Sequence, residues 1–336
     1  MHLCQQLFVE NDRNHAEAVR NTELEQERVS NDQKNNELKN SGQVENMSSD
    51  NLSYRAELKA RKRIVVKIGS SSLIHPETGR LDYHRIDRLA GELADLKNQG
   101  KEVILVTSGA TAVGREVLRE DQLHGDGGRM SRKQACASIG QARLIMIYQK
   151  YFEDYNQLTG QVLMTKTTIV NPTSRENLEG TIRELLDMGV IPIVNENDVV
   201  ATLEYKLGDN DSLSAMVASI LKADLLILLS DVDGLYTDDP RSNEKAAFIE
   251  FVPHLTEEIM EMGKGSTGSG VGTGGMNTKL HAARMATASG CDMVIANTKN
   301  GVGVIADIIN GDNVGTLFCA ERDDSFDLIE YVEETY

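Results

Sequence analysis

The chain has 336 residues, of which 40% are hydrophobic, so it can bury a large core as one big α/β domain or two smaller ones. Its net charge of -17 opposes a nucleic-acid-binding role, because such binding depends on Lys and Arg that neutralise phosphates. No apolar run reaches the roughly 18 residues of a membrane span, no signal-peptide pattern opens the chain, and the four cysteines show no C-x-x-C spacing. The composition therefore predicts a soluble, cytoplasmic protein with free thiols and with neither nucleic acid nor membrane as a partner.

The N-terminal 60 residues are rich in Asn, Gln, Glu and Ser and show no sustained hydrophobic period. Such a composition buries too little apolar surface to offset chain entropy, so residues 1–60 are predicted to be a disordered extension. Met47 lies just before the folded region, and we hypothesise that a product starting there is fully active. The basic run "KARKR" at 59–63 precedes an apolar run and is interpreted as charges at the start of a strand.

From residue 63, short β-branched runs alternate with amphipathic helices. Strands that are apolar throughout are buried on both faces, and βαβ order gives a mainly parallel sheet. The predicted fold is therefore an α/β protein, with folded residues 61–322 and an acidic, loosely packed tail at 323–336. The predicted strands are "RIVVKIG", "EVILVTSG", "QVLMT", "VIPIVNEND", "DLLILLSD" and "CDMVIAN", and the predicted helices span 84–98, 111–119, 131–154, 174–188, 210–222 and 276–289.

Two of these helices carry sequence signals for their first turn. Ser131 with Gln134, and Thr173 with Glu176, have the spacing of a capping box, in which each side chain bonds the other residue's backbone N–H.

Polar residues gather where the first two strands end, which is where open α/β sheets bind ligands. The first strand ends "VVKIGSSS" and places Lys67 in an apolar strand, where a lysine is costly unless it has an anionic partner or extends its ammonium to water. The second strand ends "VTSGA" and runs into a helix. The amides of 108–110 would then favour an anion, although an ordinary tight turn fits the same residues.

Two further polar clusters follow, "IVNENDVV" and "GDNDSLSA". Taken singly, Asp209, Asn210 and Asp211 are best interpreted as helix caps. Taken together, the clusters suit a polar small molecule that carries an amine and a carboxylate. After "DLLILL" come Ser230 and Asp231, and the nearby "DVDG" lacks the remaining ligands of an EF-hand, so no protein metal site is predicted.

The glycine-rich stretch "GVGTGGMNTK" at 270–279 does not match a P-loop, because Lys279 follows Gly275 by four residues and precedes a leucine. It matches the dinucleotide pattern G-x-G-x-x-G, but it follows a helix-like segment where that pattern needs a strand. A flexible surface loop is the remaining alternative. A serine-hydrolase elbow at Ser108 also fails, because Val106 stands where glycine is required.

The motifs "VVKIGSSSL", "VTSGA", "IVNENDVV", "GDNDSLSA", "SDVDGLYTDDPR" and "GTGGMNTK" together resemble the amino-acid kinase family, and within it the glutamate 5-kinases, over about residues 61–320. The resemblance implies a three-layer α/β/α sandwich around a mainly parallel sheet, in the form without a C-terminal PUA domain. It also implies that ATP, with Mg²⁺, phosphorylates the side-chain carboxylate of L-glutamate to L-glutamyl 5-phosphate, the first step of proline biosynthesis.

The resemblance further implies roles for single residues. Lys67 and Lys279 would contact the phosphates and Asp211 would position both lysines. The substrate would be held by Ser108, Asp198 and Asn210. ATP would be held by Lys67, Ser230, Asp231, Thr273, Gly274, Gly275, Met276, Asn277, Thr278 and Lys279. A homo-oligomer and feedback inhibition by proline are the family-based expectations for partners.

The sequence leaves two kinds of alternative open. A related kinase of the same family could act on uridylate, carbamate, aspartate or N-acetylglutamate, and a non-catalytic amino-acid sensor could keep the pocket alone. Glutamate is favoured by the paired "NENDVV" and "GDNDSLSA" clusters, and a catalytic role by the presence of both lysines and the aspartate. A glutamate side chain, with a pKa of about 4.3, is already ionised at neutral pH, so no catalytic histidine is required.

Overall fold

The computed structural model describes residues 49–118, 130–201, 209–263 and 275–336. Residues Tyr54–Tyr336 form one compact unit, which contains every strand named below. The strands are β1 Arg63–Ile68, β2 Glu102–Val106, β3 Leu158–Met164, β4 Val190–Glu196, β5 Leu225–Ser230, β6 Leu235–Tyr236, β7 Phe248–Ile249, β8 Phe251–Val252, β9 Asp292–Asn297 and β10 Thr316–Phe318. The helices are α1 Ser70–Leu73, α2 Tyr83–Asn98, α3 Ala110–Leu118, α4 Met130–Asp154, α5 Lys166–Val170, α6 Pro172–Asp187, α7 Asn210–Leu221, α8 Glu257–Met262, α9 Met276–Ala288, α10 Val304–Asn310 and α11 Leu328–Thr335, with a 3₁₀ turn at Leu58–Ala60.

Eight strands form one sheet in the order β3-β4-β2-β1-β5-β9-β10-β8. All neighbouring pairs are parallel except β9 and β10, so the predicted mainly parallel sheet is confirmed. The six predicted strands form the first six positions in this order. Two short strands, β10 and β8, extend one edge, and β6 pairs with β7 in a separate two-stranded sheet.

The two faces of the sheet are covered by separate helical layers. On β1, Val65 belongs to a core shared with α6, α7 and α9, whereas Ile64 and Val66 belong to a core shared with α2, α4 and α10. Because successive strand residues point to opposite faces, Lys67 lies on the face of Val65. Lys67 therefore faces the layer that contains α7 and α9, and the structure is the three-layer sandwich expected from the sequence.

The starts of two helices differ from the sequence prediction. Helix α6 is capped by Asn171, whose side chain accepts the Ser174 backbone N–H at 2.9 Å, with Pro172 as its first residue. Thr173 is therefore inside the helix and the predicted cap is wrong. In α4, Ser131 likewise lies within the helix, and the Gln134 side chain donates to the Ala201 carbonyl instead.

Helices α3 and α4 pack backbone to backbone through two glycines. A Cβ atom on Gly114 would overlap the carbonyl oxygen of Cys136, and one on Gly140 would overlap the carbonyl oxygen of Ala110. Only glycine fits at such contacts, because any side chain would force the helices apart. This packing holds α3 in place directly after the end of β2.

The compact unit extends further at both ends than the sequence indicated. Arg55 is fully buried, although residues up to 60 were predicted to be disordered. Its guanidinium donates to the carbonyl oxygens of Glu250, Val314 and Gly315 at 2.9 to 3.0 Å, and also to that of Asp312. Residues of the predicted tail form α11, whose Val332 is fully buried against the core. The predictions from composition are wrong for residues near Arg55 and for the C-terminal segment, because a few apolar or well-paired residues are enough to pack a short segment against the core.

The run at 59–63 is paired with acidic groups. Arg61 lies 2.8 Å from Asp292 and Arg63 lies 2.6 Å from Glu102. Cys136, Cys291 and Cys319 are buried and free. Within the residues that the structure describes, no helix is long and apolar enough to cross a membrane.

Candidate active site

Two lysines from distant parts of the chain meet one carboxylate at the carboxyl edge of the sheet. Lys67, near the end of β1, lies 2.5 Å from Asp211 Oδ1, and Lys279, in the first turns of α9, lies 2.9 Å from Asp211 Oδ2. Asp211 is in the first turn of α7. All three side chains are at least nine-tenths buried. Lys67 therefore has the anionic partner that its position in an apolar strand required, and the alternative of a lysine extending to water is wrong.

The charges in this cluster stabilise each other. Burial by itself would raise the pKa of Asp211, but Lys67 and Lys279 lower it to about 2. Burial would lower the pKa of Lys279, and the charge and hydrogen bond of Asp211 outweigh burial and raise it. The charges of Asp209 and Asp231 act on Lys279 in the same direction. At neutral pH, Asp211 and Lys279 are thus ionised.

Asp209 caps the helix that carries Asp211. Its Oδ1 accepts the backbone N–H of Ser212 at 3.0 Å and the Ser212 hydroxyl at 3.1 Å. The Ser212 hydroxyl lies 2.6 Å from that of Tyr336, just beyond the end of α11. Burial, and next the charge of Asp211, raise the pKa of Asp209. Asp209 therefore acts as the cap predicted for it, whereas Asn210 and Asp211 point into the site.

A chain of side-chain amides links α7, β4 and α4. Asn210 Nδ2 donates to the carbonyl oxygen of Thr107 and, at 3.0 Å, to Asn195 Oδ1. Asn195 Nδ2 donates to Gln141 Oε1 at 2.8 Å, and Asn195 and Gln141 are buried. Thr107 is further held by a 2.8 Å hydrogen bond between its hydroxyl and that of the fully buried Tyr148. These bonds fix the residues around the end of β2.

A small cleft opens beside these amide side chains. It is lined by Ala110, Ala137, Gln141, Leu163, Glu196, Asn197, Asp198 and Val199. Asp198, a predicted substrate residue, is thus in the wall of the cleft. Ser108 lies two residues before Ala110 and donates to the Ile68 carbonyl at 3.3 Å, and it is followed by Gly109 with a positive φ of 99°. The residues predicted to hold substrate are therefore arranged along one edge of the sheet.

The residues predicted to hold nucleotide lie at the ends of β5 and α9. Ser230 ends β5 and is followed by Asp231, and the carbonyl of Ser230 accepts from the backbone and hydroxyl of Thr298. The Thr298 hydroxyl also lies 3.0 Å from Ser72 Oγ, which connects this edge to the segment after β1. Gly275 caps α9, followed by Met276, Asn277, Thr278 and Lys279. Thr273 and Gly274 lie outside the described residues.

Sequence reasoning did not single out Gln141, Tyr148 or Thr298. Each is buried, and each makes a side-chain hydrogen bond next to a predicted site residue. Gln141 and Tyr148 lie in the middle of an amphipathic helix, where a polar residue on the buried face is the only sequence signal. Thr298 directly follows a strand end and could have been found by the rule that identified Ser230.

Comparison with known proteins agrees with this geometry. Residues 62–297 match the family model described as the amino acid kinase family. The chain is 48% identical over 270 residues to a glutamate 5-kinase from Carboxydothermus hydrogenoformans, which covers 80% of this chain and 70% of that protein. It is 44% identical over 272 residues to a glutamate 5-kinase from Clostridium perfringens, with 80% and 99% covered.

A solved structure shares the fold. Carbamate kinase from Giardia lamblia bound to AMP-PNP is similar with a TM-score of 0.57 and 19% identity, over 78% of this chain and 100% of that one. The family match covers the strands and helices that carry Lys67, Asp211 and Lys279. The chain therefore belongs to the amino acid kinase family.

Proposed function

We propose that this chain is a glutamate 5-kinase, which transfers the γ-phosphoryl group of ATP to the side-chain carboxylate of L-glutamate. The observation that carries the proposal is the buried cluster of Lys67, Asp211 and Lys279 at the sheet edge, beside a cleft walled by acidic and amide side chains. The names of the relatives at 44% to 48% identity support the choice of glutamate.

The proposed chemistry needs charge neutralisation more than proton transfer. The glutamate carboxylate is ionised at neutral pH and attacks the γ-phosphorus without a general base, and the bond from that phosphorus to the bridging oxygen of ADP breaks. The difficulty is that a carboxylate must approach a polyanion. In this proposal Lys67 and Lys279 stabilise the negative charge on the transferring oxygens, and Asp211 keeps both ammonium groups fixed.

The cluster fits a triphosphate in charge and in space. Two lysine side chains meet one aspartate in this buried site, and ammonium groups are suitable partners for phosphate oxygens. Glycine at position 69 leaves room beside Lys67, because a Cβ there would lie 3.3 Å from the Lys67 ammonium. We propose that Ser230, Asp231 and residues 273–279 hold the rest of ATP, and that Ser108, Asp198 and Asn210 hold glutamate.

Mg²⁺ is proposed to enter with ATP and not to reside in the protein alone. Among the residues that the structure describes, no three His, Cys, Asp or Glu side chains are grouped to hold a metal ion. Mg²⁺ commonly uses one or two carboxylates together with substrate phosphates, and Asp209 and Asp211 could supply them here. When bound, the ion would neutralise charge on the phosphates.

A coupled assay of ADP release tests the proposal directly. The purified chain is given ATP and Mg²⁺ with L-glutamate, aspartate, N-acetylglutamate, carbamate or uridylate. We expect glutamate to give the highest kcat/KM by a wide margin. Clear turnover of another acceptor without turnover of glutamate would assign a different kinase of the family, and glutamate binding in calorimetry without ADP release would favour a sensor.

Three finer proposals accompany this function. Proline is proposed as a feedback inhibitor that acts at the glutamate region, which a proline titration of the same assay would test. A homo-oligomer is proposed from the resemblance and is tested by light scattering. A cytoplasmic location is proposed because the three described thiols are buried and free, as expected in a reducing compartment.

A further inference from the structure

The orientations of the Asn210 and Asn195 amides are fixed by backbone groups whose hydrogen-bonding roles are unambiguous. The Thr107 carbonyl can only accept, so Asn210 must turn Nδ2 toward it. The Glu196 backbone N–H can only donate, and Asn195 Oδ1 accepts it at 2.9 Å. Asn195 Oδ1 also accepts from Asn210, so both constraints agree and determine which end of the Asn195 amide is oxygen.

This assignment determines how Gln141 is oriented. Because Asn195 directs its oxygen toward Glu196 and Asn210, its Nδ2 group faces Gln141 at 2.8 Å. Gln141 must therefore present Oε1 to Asn195, and its own Nε2 group remains on the other side of the amide. Gln141 is about nine-tenths buried and lines the cleft, so we infer that the two N–H groups of Nε2 serve the cleft.

An N–H donor at this position would help to bind an anion, because two other polar side chains of the cleft are carboxylates. Glu196 and Asp198 suit the ammonium group of an amino acid but repel its carboxylates. A carboxylate in the same cleft needs neutral or positive donors. The Gln141 amide, together with the first backbone amides of α3 at Ala110, supplies them.

The position of Gln141 relative to the lysine cluster indicates which of the two glutamate carboxylates it binds. Hydrogen bonds link Gln141 to Asn195 and Asn195 to Asn210, the neighbour of Asp211 in α7, whereas the reacting carboxylate has to lie at Lys67 and Lys279. We propose that Gln141 binds the α-carboxylate of L-glutamate and thereby helps the enzyme to distinguish amino acids with a free α-carboxylate from their α-amides. This inference rests on the proposed function.

The test pairs one variant with two substrates. Gln141→Glu keeps the shape of the side chain and still accepts from Asn195, but it replaces the donor that faces the cleft with an oxygen. Isoglutamine, the α-amide of glutamate, keeps the reacting carboxylate and carries a neutral amide that can itself donate. A hydrogen bond to a charged group contributes about 1.5 to 3 kcal/mol, which corresponds to roughly 10- to 150-fold.

We expect Gln141→Glu to raise the KM for glutamate by about 10- to 100-fold, with a much smaller change in kcat and in the KM for ATP. The ratio of kcat/KM for glutamate to kcat/KM for isoglutamine should be at least tenfold lower in this variant than in the wild type. Gln149→Glu is the matched control, because it adds the same charge to an exposed position of the same helix. It should change neither the KM for glutamate nor the preference for glutamate over isoglutamine.

Equal losses for glutamate and isoglutamine in a folded Gln141→Glu variant would overturn the inference, since they would indicate a structural role through Asn195. An unchanged KM for glutamate would overturn it as well. If thermal melts show that this variant does not fold, Gln141→Met removes the donor without adding charge, and the loss must then be at least tenfold larger for glutamate than for isoglutamine. Failure of the wild type to phosphorylate glutamate would instead reject the proposed function.

Discussion

Asp211 Oδ1 lies 2.5 Å from the Lys67 ammonium, and both groups are buried. Removal of a buried lysine that has no partner would relieve a desolvation penalty. The ion pair reverses that expectation, because removing Lys67 leaves the buried Asp211 carboxylate with only Lys279 to compensate it. A substitution here should therefore affect stability as well as turnover.

For Lys67→Ala we expect kcat to fall by about 10² to 10³, with little change in the KM for glutamate, because the lysine stabilises charge that develops during transfer. We also expect a lower Tm than that of the wild type. Steady-state kinetics and thermal melts measure both effects. Lys133→Ala, on the exposed face of α4, should change neither. A near-wild-type kcat would reject the proposed catalytic role of Lys67.

Replacement of Asp211 by Asn leaves two buried ammonium groups facing each other. Breaking a buried ion pair on one side costs about 3 to 5 kcal/mol, so we expect a loss of unfolding free energy of that order at pH 7. The folded pKa of Asp211, about 2, lies below its ordinary value of 3.8. Its ionisation therefore stabilises the fold above pH 4, and this contribution is lost as the pH falls toward 2.

The difference in unfolding free energy between wild type and Asp211→Asn should accordingly narrow between pH 4 and pH 2. Denaturant titrations at several pH values measure it. Asp324→Asn, at a side chain that is 88% exposed, is the control and should show no such narrowing. A difference that stays constant or grows as the pH falls would contradict the assignment of the ion pair.

Gly140→Ala should destabilise the protein by about 3 kcal/mol, because the added methyl group overlaps the Ala110 carbonyl and the helices must separate. Since α3 follows the end of β2, we also expect a higher KM for glutamate. Gly180→Ala is the matched control, because nothing lies within 4 Å of a Cβ at that exposed position in α6. It should raise stability by about 0.5 to 1 kcal/mol. Equal melting temperatures for the two variants would refute the packing argument.

Deletions at the N-terminus separate the first residues from the segment that contains Arg55. Deletion of residues 1–46 should leave activity intact, as hypothesised for a product that starts at Met47. Deletion of residues 1–60 removes Arg55 and leaves its carbonyl partners near Glu250 and Val314 without their donor, so we expect a sharp loss of soluble, active protein.

Point substitutions support the same test. Arg55→Met should lower the Tm by several degrees in the full chain, whereas Arg241→Ala, at a side chain that is 63% exposed, should have almost no effect. A large loss of activity on deletion of residues 1–46 would contradict the hypothesis about Met47. An unchanged Tm for Arg55→Met would show that the buried guanidinium is dispensable.

The sequence predicted the central strands well, because β1, β2, β4, β5 and β9 are apolar along their length and end in polar clusters. It missed β8 and β10, which have two and three residues and no periodicity that could reveal them. It also placed the cap of α6 at Thr173 because two neighbouring residues, Asn171 and Thr173, satisfy similar local rules and tertiary packing decides between them.

For the candidate site, local motifs located Lys67, Asp211 and Lys279 but could not show that they touch. Asp211 and Lys279 are 68 residues apart in the sequence, and only the order of strands brings α7 and α9 together on one face. Gln141 and Arg55 were not found, because their partners are backbone groups and amides from remote segments. Such roles depend on the assembled sheet and leave no mark in the neighbouring residues.

The central position of β1 has a consequence for how the chain folds during synthesis. One edge of β1 pairs with β2, about 40 residues later, but its other edge pairs with β5 at Leu225–Ser230. A ribosome must therefore add more than 150 residues while an apolar strand edge stays open. Chains released before residue 230 should aggregate or bind chaperones. A chain truncated near the end of α7 should therefore give less soluble protein than a chain truncated after β5.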